Sequence, residues 1–347
     1  MAGQLFKVIL LILVTAILGG CSGQNPSSTI DNKEKIQVGL VFDIGGLGDK
    51  SFNDQAYTGL KKAAAEYSLE MGKDIEYLEP AEAADRETAL RQMASKKKAL
   101  IFGIGFIFSE DVNRVAKDFP ETKFACVDYV SPANEADIPP NVVGLKYKEE
   151  EGAFLVGALA SLVTKTNKIG FVGGMQSPLI KKFEAGYKAG AHYANPKCVV
   201  IANYAGMTPD AFKNPSKGKE LALSIYDKGA DIIFHASGST GLGVFEAARD
   251  KKKLAIGVDA DQYDEAPGYI LTSMIKKVDV SVFEEVKAVH DNNFANGIRV
   301  FDLASGGIDY IYNDKNKNLI TEDTHQKIEA IRQKIINGEI KVPSSLD

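Results

Sequence analysis

The sequence predicts an α/β protein made of two successive doubly wound lobes, and three observations carry that prediction. From Lys35 onward, short β-branched and almost continuously apolar runs alternate with amphipathic stretches of helical period. That is the pattern of a parallel sheet covered on both faces. The alternation starts again after Pro139-Pro140, repeating the architecture but not the letters. A tail too short for a third domain then adds a few elements, the right size to cross between two lobes and complete both sheets.

In the first array, Ile36–Phe42 reads as a buried strand. Phe52, Ala56, Leu60, Ala63, Ala64 and Tyr67 recur at helical spacing and predict a helix from Ser51 to Glu70. Strand Ile75–Leu78, helix Arg86–Lys97, strand Ala99–Gly103, helix Ser109–Phe119 and strand Phe124–Val127 follow. The second array opens with the apolar helix Gly152–Val163. Strand Ile169–Val172, helix Pro178–Ala191, strand Val199–Tyr204, helix Gly218–Lys228, strand Ile232–His235, helix Gly243–Lys251 and strand Ala255–Val258 come next. The tail supplies strand Tyr269–Ile275, helix Val280–Asp291, a hairpin-like stretch Val300–Tyr312 and helix Thr324–Asn337. The lobes are therefore expected over 35–144 plus about 273–298, and over 145–272 plus about 299–347.

The first residues set the compartment. Lys7 precedes an apolar run, Val8 to Leu18, which is too short for a permanent membrane span and fits the core of a signal peptide over 1–20. The ending Leu18-Gly19-Gly20-Cys21 resembles a bacterial lipobox, so Cys21 is the expected lipidation site and first mature residue. Residues 21–34, polar and without apolar period, read as a disordered tether with a reach of roughly 20 Å. A formal charge of −5 leaves no basic footprint for nucleic acid. The other cysteines, Cys126 and Cys198, stand in apolar strand-like contexts and are expected as buried free thiols.

In doubly wound sheets ligands bind where loops leave the carboxyl ends of the strands. After the first strand stands Asp43-Ile44-Gly45-Gly46-Leu47-Gly48-Asp49-Lys50-Ser51-Phe52-Asn53-Asp54. It narrowly misses a P-loop, because Asp49 precedes Lys50 and would repel phosphate, and it lacks the third glycine of a dinucleotide fingerprint. Ser51, with Asp54 three residues on, is expected to cap the following helix. Phe52 offers a flat apolar face and Asn53 paired donors and acceptors, although Phe52 taken alone reads as core. Later strands lead into Gly103-Ile104-Gly105-Phe106, Asp128-Tyr129, Gly173-Gly174-Met175, the run from Ala236 to Gly241 and Asp259-Ala260-Asp261. One isolated aspartate after a strand is usually a cap or hinge. Several together suggest acceptors for hydroxyl and N–H groups. The one basic candidate is Lys276 or its neighbour Lys277.

Enzymatic constellations are missing. His192, His235, His290 and His325 are scattered without metal-ligand spacing, and there is no Gly-x-Ser-x-Gly, Cys-x-x-Cys or His-Glu-x-x-His. Asp259 and Asp261 have no partner acid. Neither catalysis, a metal nor a cofactor is expected.

Five motifs in series are more specific than any one of them: DIGGLGDKSFN (43–53), EEEGAFLVGALASLVTKTNKIGFVGGM (149–175), PSKGKELA (215–222), GSTGLGVFEAA (238–248) and AIGVDADQ (255–262). Together they resemble the basic membrane protein family, whose PnrA-like members are purine nucleoside receptors and lipoprotein subunits of ABC importers. The resemblance implies a type I periplasmic-binding-protein fold, two lobes joined by three crossovers around a cleft that closes on ligand. It implies a purine nucleoside as ligand, ABC permease and ATPase subunits as partners, and an extracytoplasmic place on the membrane. Phe52 and an aromatic from the second lobe, Phe212 with Phe183 as the alternative, would sandwich the base. Asn53 and Asp128 would bond the base edge. Asp43, Asp259 and Lys276, with the backbone around Gly238, would hold the ribose. The stretch 205–215 is longer than the family's usual form, and that between Asp261 and Tyr269 shorter, which leaves the aromatic and the lysine open. A sugar or signalling ligand in the same fold, or a surface interaction lipoprotein, is the alternative.

Overall fold

The computed structural model describes residues 35–346. The signal segment, Cys21 and the tether therefore lie outside the described residues. The first sheet takes its strands from β1 (Val38–Val41), β2 (Ile75–Leu78), β3 (Leu100–Ile104), β4 (Lys123–Val127) and β5 (Val142–Tyr147), with helices α1 (Phe52–Glu66), α2 (Arg86–Ser95) and α3 (Ser109–Asp118) between them. The chain then crosses into a second array: α4 (Glu149–Val163), β6 (Lys168–Met175), α5 (Pro178–Ala194), β7 (Val199–Gly206), α6 (Pro215–Asp227), β8 (Ile232–Ala236), α7 (Thr240–Lys251), β9 (Leu254–Asp259) and β10 (Ile270–Lys276). The tail holds α8 (Val278–His290), β11 (Gly297–Phe301), β12 (Ile308–Tyr310) and α9 (Glu322–Ile336).

The strand orders are β11-β5-β4-β3-β1-β2 and β12-β10-β9-β8-β6-β7. The first sheet is parallel throughout, and in the second only β12 runs antiparallel, on β10. The strands are apolar because helices cover both faces: β1, β3 and β8 are buried at every residue. Cys126 and Cys198 are buried free thiols.

The chain passes between the lobes three times, after β5, after β10 and between β11 and β12. Each crossing falls a few residues beyond the boundary expected from sequence. Two local features differ from the sequence reading. Strand β5 has no counterpart in the sequence reading, because Pro139-Pro140 signals a break and Gly144 interrupts the apolar run. Gly144 is there for space: a Cβ on it would sit 2.3 Å from Cδ1 of the buried Tyr129 ring. The expected hairpin over Val300–Tyr312 is not one. Its turn is hairpin-like, with Gly307 N–H donating to Asp302 O and Ser305 N–H to the Asp302 carboxylate. Yet β11 joins β5 in the first sheet and β12 joins β10 in the second.

Three consecutive glutamates, Glu149, Glu150 and Glu151, open α4 at the first crossing, and all are buried. A carboxylate in the first turn suits the helix dipole, but these reach further. Glu149 Oε2 accepts from Lys182 Nζ at 2.5 Å, and that ammonium also donates to Tyr147 O and pairs with Glu150. Glu149 Oε1 faces Lys276 Nζ, at the second crossing, at 3.8 Å. Glu151 Oε2 accepts from Leu303 N–H at the third, and its other oxygen pairs with Lys148, which also pairs with Asp302.

Candidate ligand-binding cleft

The loops leaving the carboxyl ends of both sheets meet around one pocket with an empty volume of about 550 Å³. It is lined from the first lobe by Asp43, Phe52, Asn53 and Asp128, and from the second by Phe183, Phe212, Gly238, Asp259 and Lys276. All eight residues named as ligand candidates thus face one cavity. Both candidate aromatics of the second lobe reach it, and of the two lysines Lys276 does so.

The first lobe's contribution is a locked loop. The Asp49 carboxylate accepts from the N–H groups of Ser51, Asn53 and Asp54 and from Asn53 Nδ2. Asn53 Oδ1 accepts from Asp43 N–H at 3.1 Å, and Asp54 accepts from Gly48 and Lys50 N–H. Asp49 is therefore the helix cap, and Ser51, expected in that role, makes no capping bond. Part of the Asn53 amide is committed to the loop, which leaves one N–H and one lone pair for a ligand. This scaffold presents the Phe52 ring at the start of α1.

Lys276 is 2 % exposed and lies at the centre of the charge pattern. Its Nζ is 2.8 Å from each oxygen of Asp128, and it stands 4.7 Å from the Phe52 ring centroid and 5.0 Å from that of Tyr147. Burial opposes its charge, but Asp128, Asp259 and Glu149 outweigh burial and hold its pKa above the ordinary value. For the acids burial wins. The Asp128 pKa is pushed up to about 6 by burial, against the pull of Lys276. That of Asp43 rises to about 7, again through burial, against the hydrogen bond from Ile44 N–H. Asp259 is likewise raised by burial, opposed by Lys276 and by the Ser51 hydroxyl. Among the described residues lining the pocket, Lys276 is the one basic side chain and is already paired, so the cavity offers acceptors and repels anions.

In the second lobe, a 3-10 turn over Pro209–Phe212 carries Phe212 into the pocket. Ser239 Oγ and Thr240 Oγ1 hold the turn by donating to Phe212 O and Ala211 O. The ring lies against Gly174, where a Cβ would come within 2.3 Å of Cε1. Phe183 is buried and packs 6.4 Å from Phe234. Asp49, Phe106, Leu179, Ile180 and Ser237 also line the cavity, and sequence reasoning did not single them out as ligand residues. All but Asp49 stand within a few residues of a strand's carboxyl end, the signal that could have found them.

Two parallel-sheet lobes, three crossings and a pocket between the strand ends define the type I periplasmic-binding-protein class. The comparisons agree. A solute-binding protein of an ABC transporter system from Aeropyrum pernix K1 superposes with a TM-score of 0.81 at 28% identity, over 90% of this chain and 94% of that one. The chain matches the Bmp family, described as ABC transporter substrate-binding protein PnrA-like, over residues 36–345. A CD4+ T-cell-stimulating antigen of Listeria innocua is 36% identical over 99% of each chain, and the ABC transporter nucleoside-binding protein BmpA of Lactococcus lactis 33% identical over 95% of each. The chain belongs to the Bmp family of PnrA-like ABC transporter substrate-binding proteins, a binding family and not an enzyme class.

Proposed function

We propose that the cleft binds a nucleoside, a purine nucleoside in first place, and presents it to the permease and ATPase of an ABC importer. The observation that carries the reading is that Phe52 and Phe212, from opposite lobes, line one pocket whose charged groups are carboxylates and one paired lysine. A flat heterocycle between two phenyl rings gains apolar burial and about 1–3 kcal/mol of stacking per base. Asn53 and Asp128 bond the base edge. Asp43, Asp259 and Lys276, with the backbone at Gly238, take the ribose hydroxyls. A ligand lacking a hydroxyl leaves a buried acceptor unpaired and is rejected. The acidic lining disfavours phosphate, so nucleotides are poor ligands. The name of the Lactococcus relative supports the ligand class. Attachment through lipidated Cys21 places the lobes on the outer side of a membrane.

Calorimetric titration of the full chain, freed of carried-over ligand by unfolding and refolding, tests this. Inosine, guanosine and adenosine are expected to bind tightly, cytidine and 2′-deoxyguanosine less so, and ribose not detectably. Silence from every nucleoside, or deoxyguanosine equal to guanosine, would refute the assignment.

A further inference from the structure

We infer that Ser51 and Gln262 form a two-point latch across the cleft, which sets how long a ligand is held without touching it. The inference rests on the reading of the cleft as a ligand site but not on which ligand it takes. Ser51 precedes α1 in the first lobe, where a serine normally caps its own helix. Here Asp49 holds the free N–H groups, so the Ser51 hydroxyl is released to the other lobe. It donates to Asp259 Oδ2 at 2.5 Å, with Val258 O at 3.3 Å, and the residue is fully buried.

The second point is Gln262, 2 % exposed, whose Nε2 donates to Lys50 O at 3.0 Å. Its amide orientation is settled by its own lobe. Oε1 accepts from Val258 N–H at 2.8 Å, which only a carbonyl oxygen can do, and lies 3.1 Å from His235 Nε2. The Gln262 N–H donates to Ser273 Oγ, fixing the backbone as well. The donor therefore points across the cleft by construction, at a carbonyl on the locked loop, where Lys50 has a φ of 54°.

Lys50, Ser51 and Gln262 do not line the pocket, whereas Asp259 does. Both bonds join residues 50–51 of one lobe to residues 259–262 of the other, so separating the lobes breaks them. They contribute to the closed form alone and to every ligand equally. Asp259 couples the two functions: Oδ2 is held by the latch, and Oδ1 remains for a ligand.

The test compares Ser51→Ala and Gln262→Glu with the wild-type full chain by stopped-flow kinetics on inosine, guanosine and adenosine. Gln262→Glu keeps the acceptor for Val258 and sets a carboxylate against Lys50 O. Each variant is expected to speed dissociation about tenfold, the size of one hydrogen bond to a charged or buried group, by the same factor for all three ligands. Association rates and rank order stay as in the wild type. Unchanged dissociation, or losses that reorder the ligands, would overturn the latch. If the wild type binds no nucleoside, the ligand assignment fails separately. The latch is then judged on hydrogen exchange of the ligand-free chain, where residues 51–54 and 258–262 should exchange faster in both variants, and equal exchange overturns it.

Discussion

Replacing Lys276 by Met removes the one positive charge from a pocket that holds several negative ones. The Lys276 ammonium is 2.8 Å from both oxygens of Asp128, 3.8 Å from Glu149 Oε1 and almost wholly buried. Methionine keeps most of the stem volume, so the loss is electrostatic. Breaking one side of a buried ion pair costs about 3–5 kcal/mol, because the surviving charge is left without compensation. In a chain of this size that lowers Tm by roughly 5–8 °C. The pH dependence follows from Asp128. Its pKa is pushed up to about 6 by burial even with Lys276 present, and without Lys276 it goes higher. A carboxyl whose folded pKa exceeds its unfolded value holds a proton that the unfolded chain has released, so folding weakens as pH rises. The penalty is therefore small near pH 4 and full at pH 8. Differential scanning calorimetry of wild type, Lys276→Met and Lys276→Met/Asp128→Asn across that range is the assay, and the double variant should regain most of the lost Tm. A single variant melting within about 2 °C of wild type at pH 8, or a loss independent of pH, would refute the argument.

Two further outcomes are expected. Gly174→Ala places a Cβ 2.3 Å from Phe212 Cε1, so the half-buried ring must move by an ångström or more; nucleoside affinity should fall roughly tenfold or more while thermal stability changes little, read by titration and calorimetry on one preparation. Asp43, its pKa raised by burial to about 7, contributes stability that is fully present near pH 4 and is lost as pH rises toward 7, on the order of a few kcal/mol; Asp43→Asn should flatten that fall in Tm, and an unchanged profile would count against it.

What the sequence made legible was the ends of strands. Asp43, Asp128, Asp259 and Lys276 each stand at or just past the carboxyl end of an apolar run, and a doubly wound sheet brings such positions together whatever the intervening helices contain. Features that depend on one residue yielding to another were not legible. Strand β5 was hidden because Gly144 serves the Tyr129 ring and not the strand's own propensity. Ser51 looked like a cap because helix N-termini favour serine, and nothing local reveals that Asp49, two residues earlier, takes the bonds. The two halves of the presumed hairpin have a hairpin's turn, and only the partner strands β5 and β10, far off in sequence, decide that they part. Glu149, Glu150 and Glu151 would ordinarily be read as a solvated helix start, since their partners Lys182, Lys276 and Leu303 come from three distant segments.

Those three glutamates bear on how the molecule moves. Three separate strings between two bodies would let them slide, twist and bend independently, and a bound ligand could be reported in many ways. Here a single helical turn grips all three strings: Glu149 touches the second through Lys276, Glu151 the third through Leu303 N–H, and Lys182 clamps the first at Tyr147 O. Three crossings tied to one helical turn do not move independently, because displacing any one of them strains the contacts that hold the other two. The pivot and the cleft are joined through Lys276, which pairs with Asp128 in front and faces Glu149 behind, so what occupies one is felt at the other.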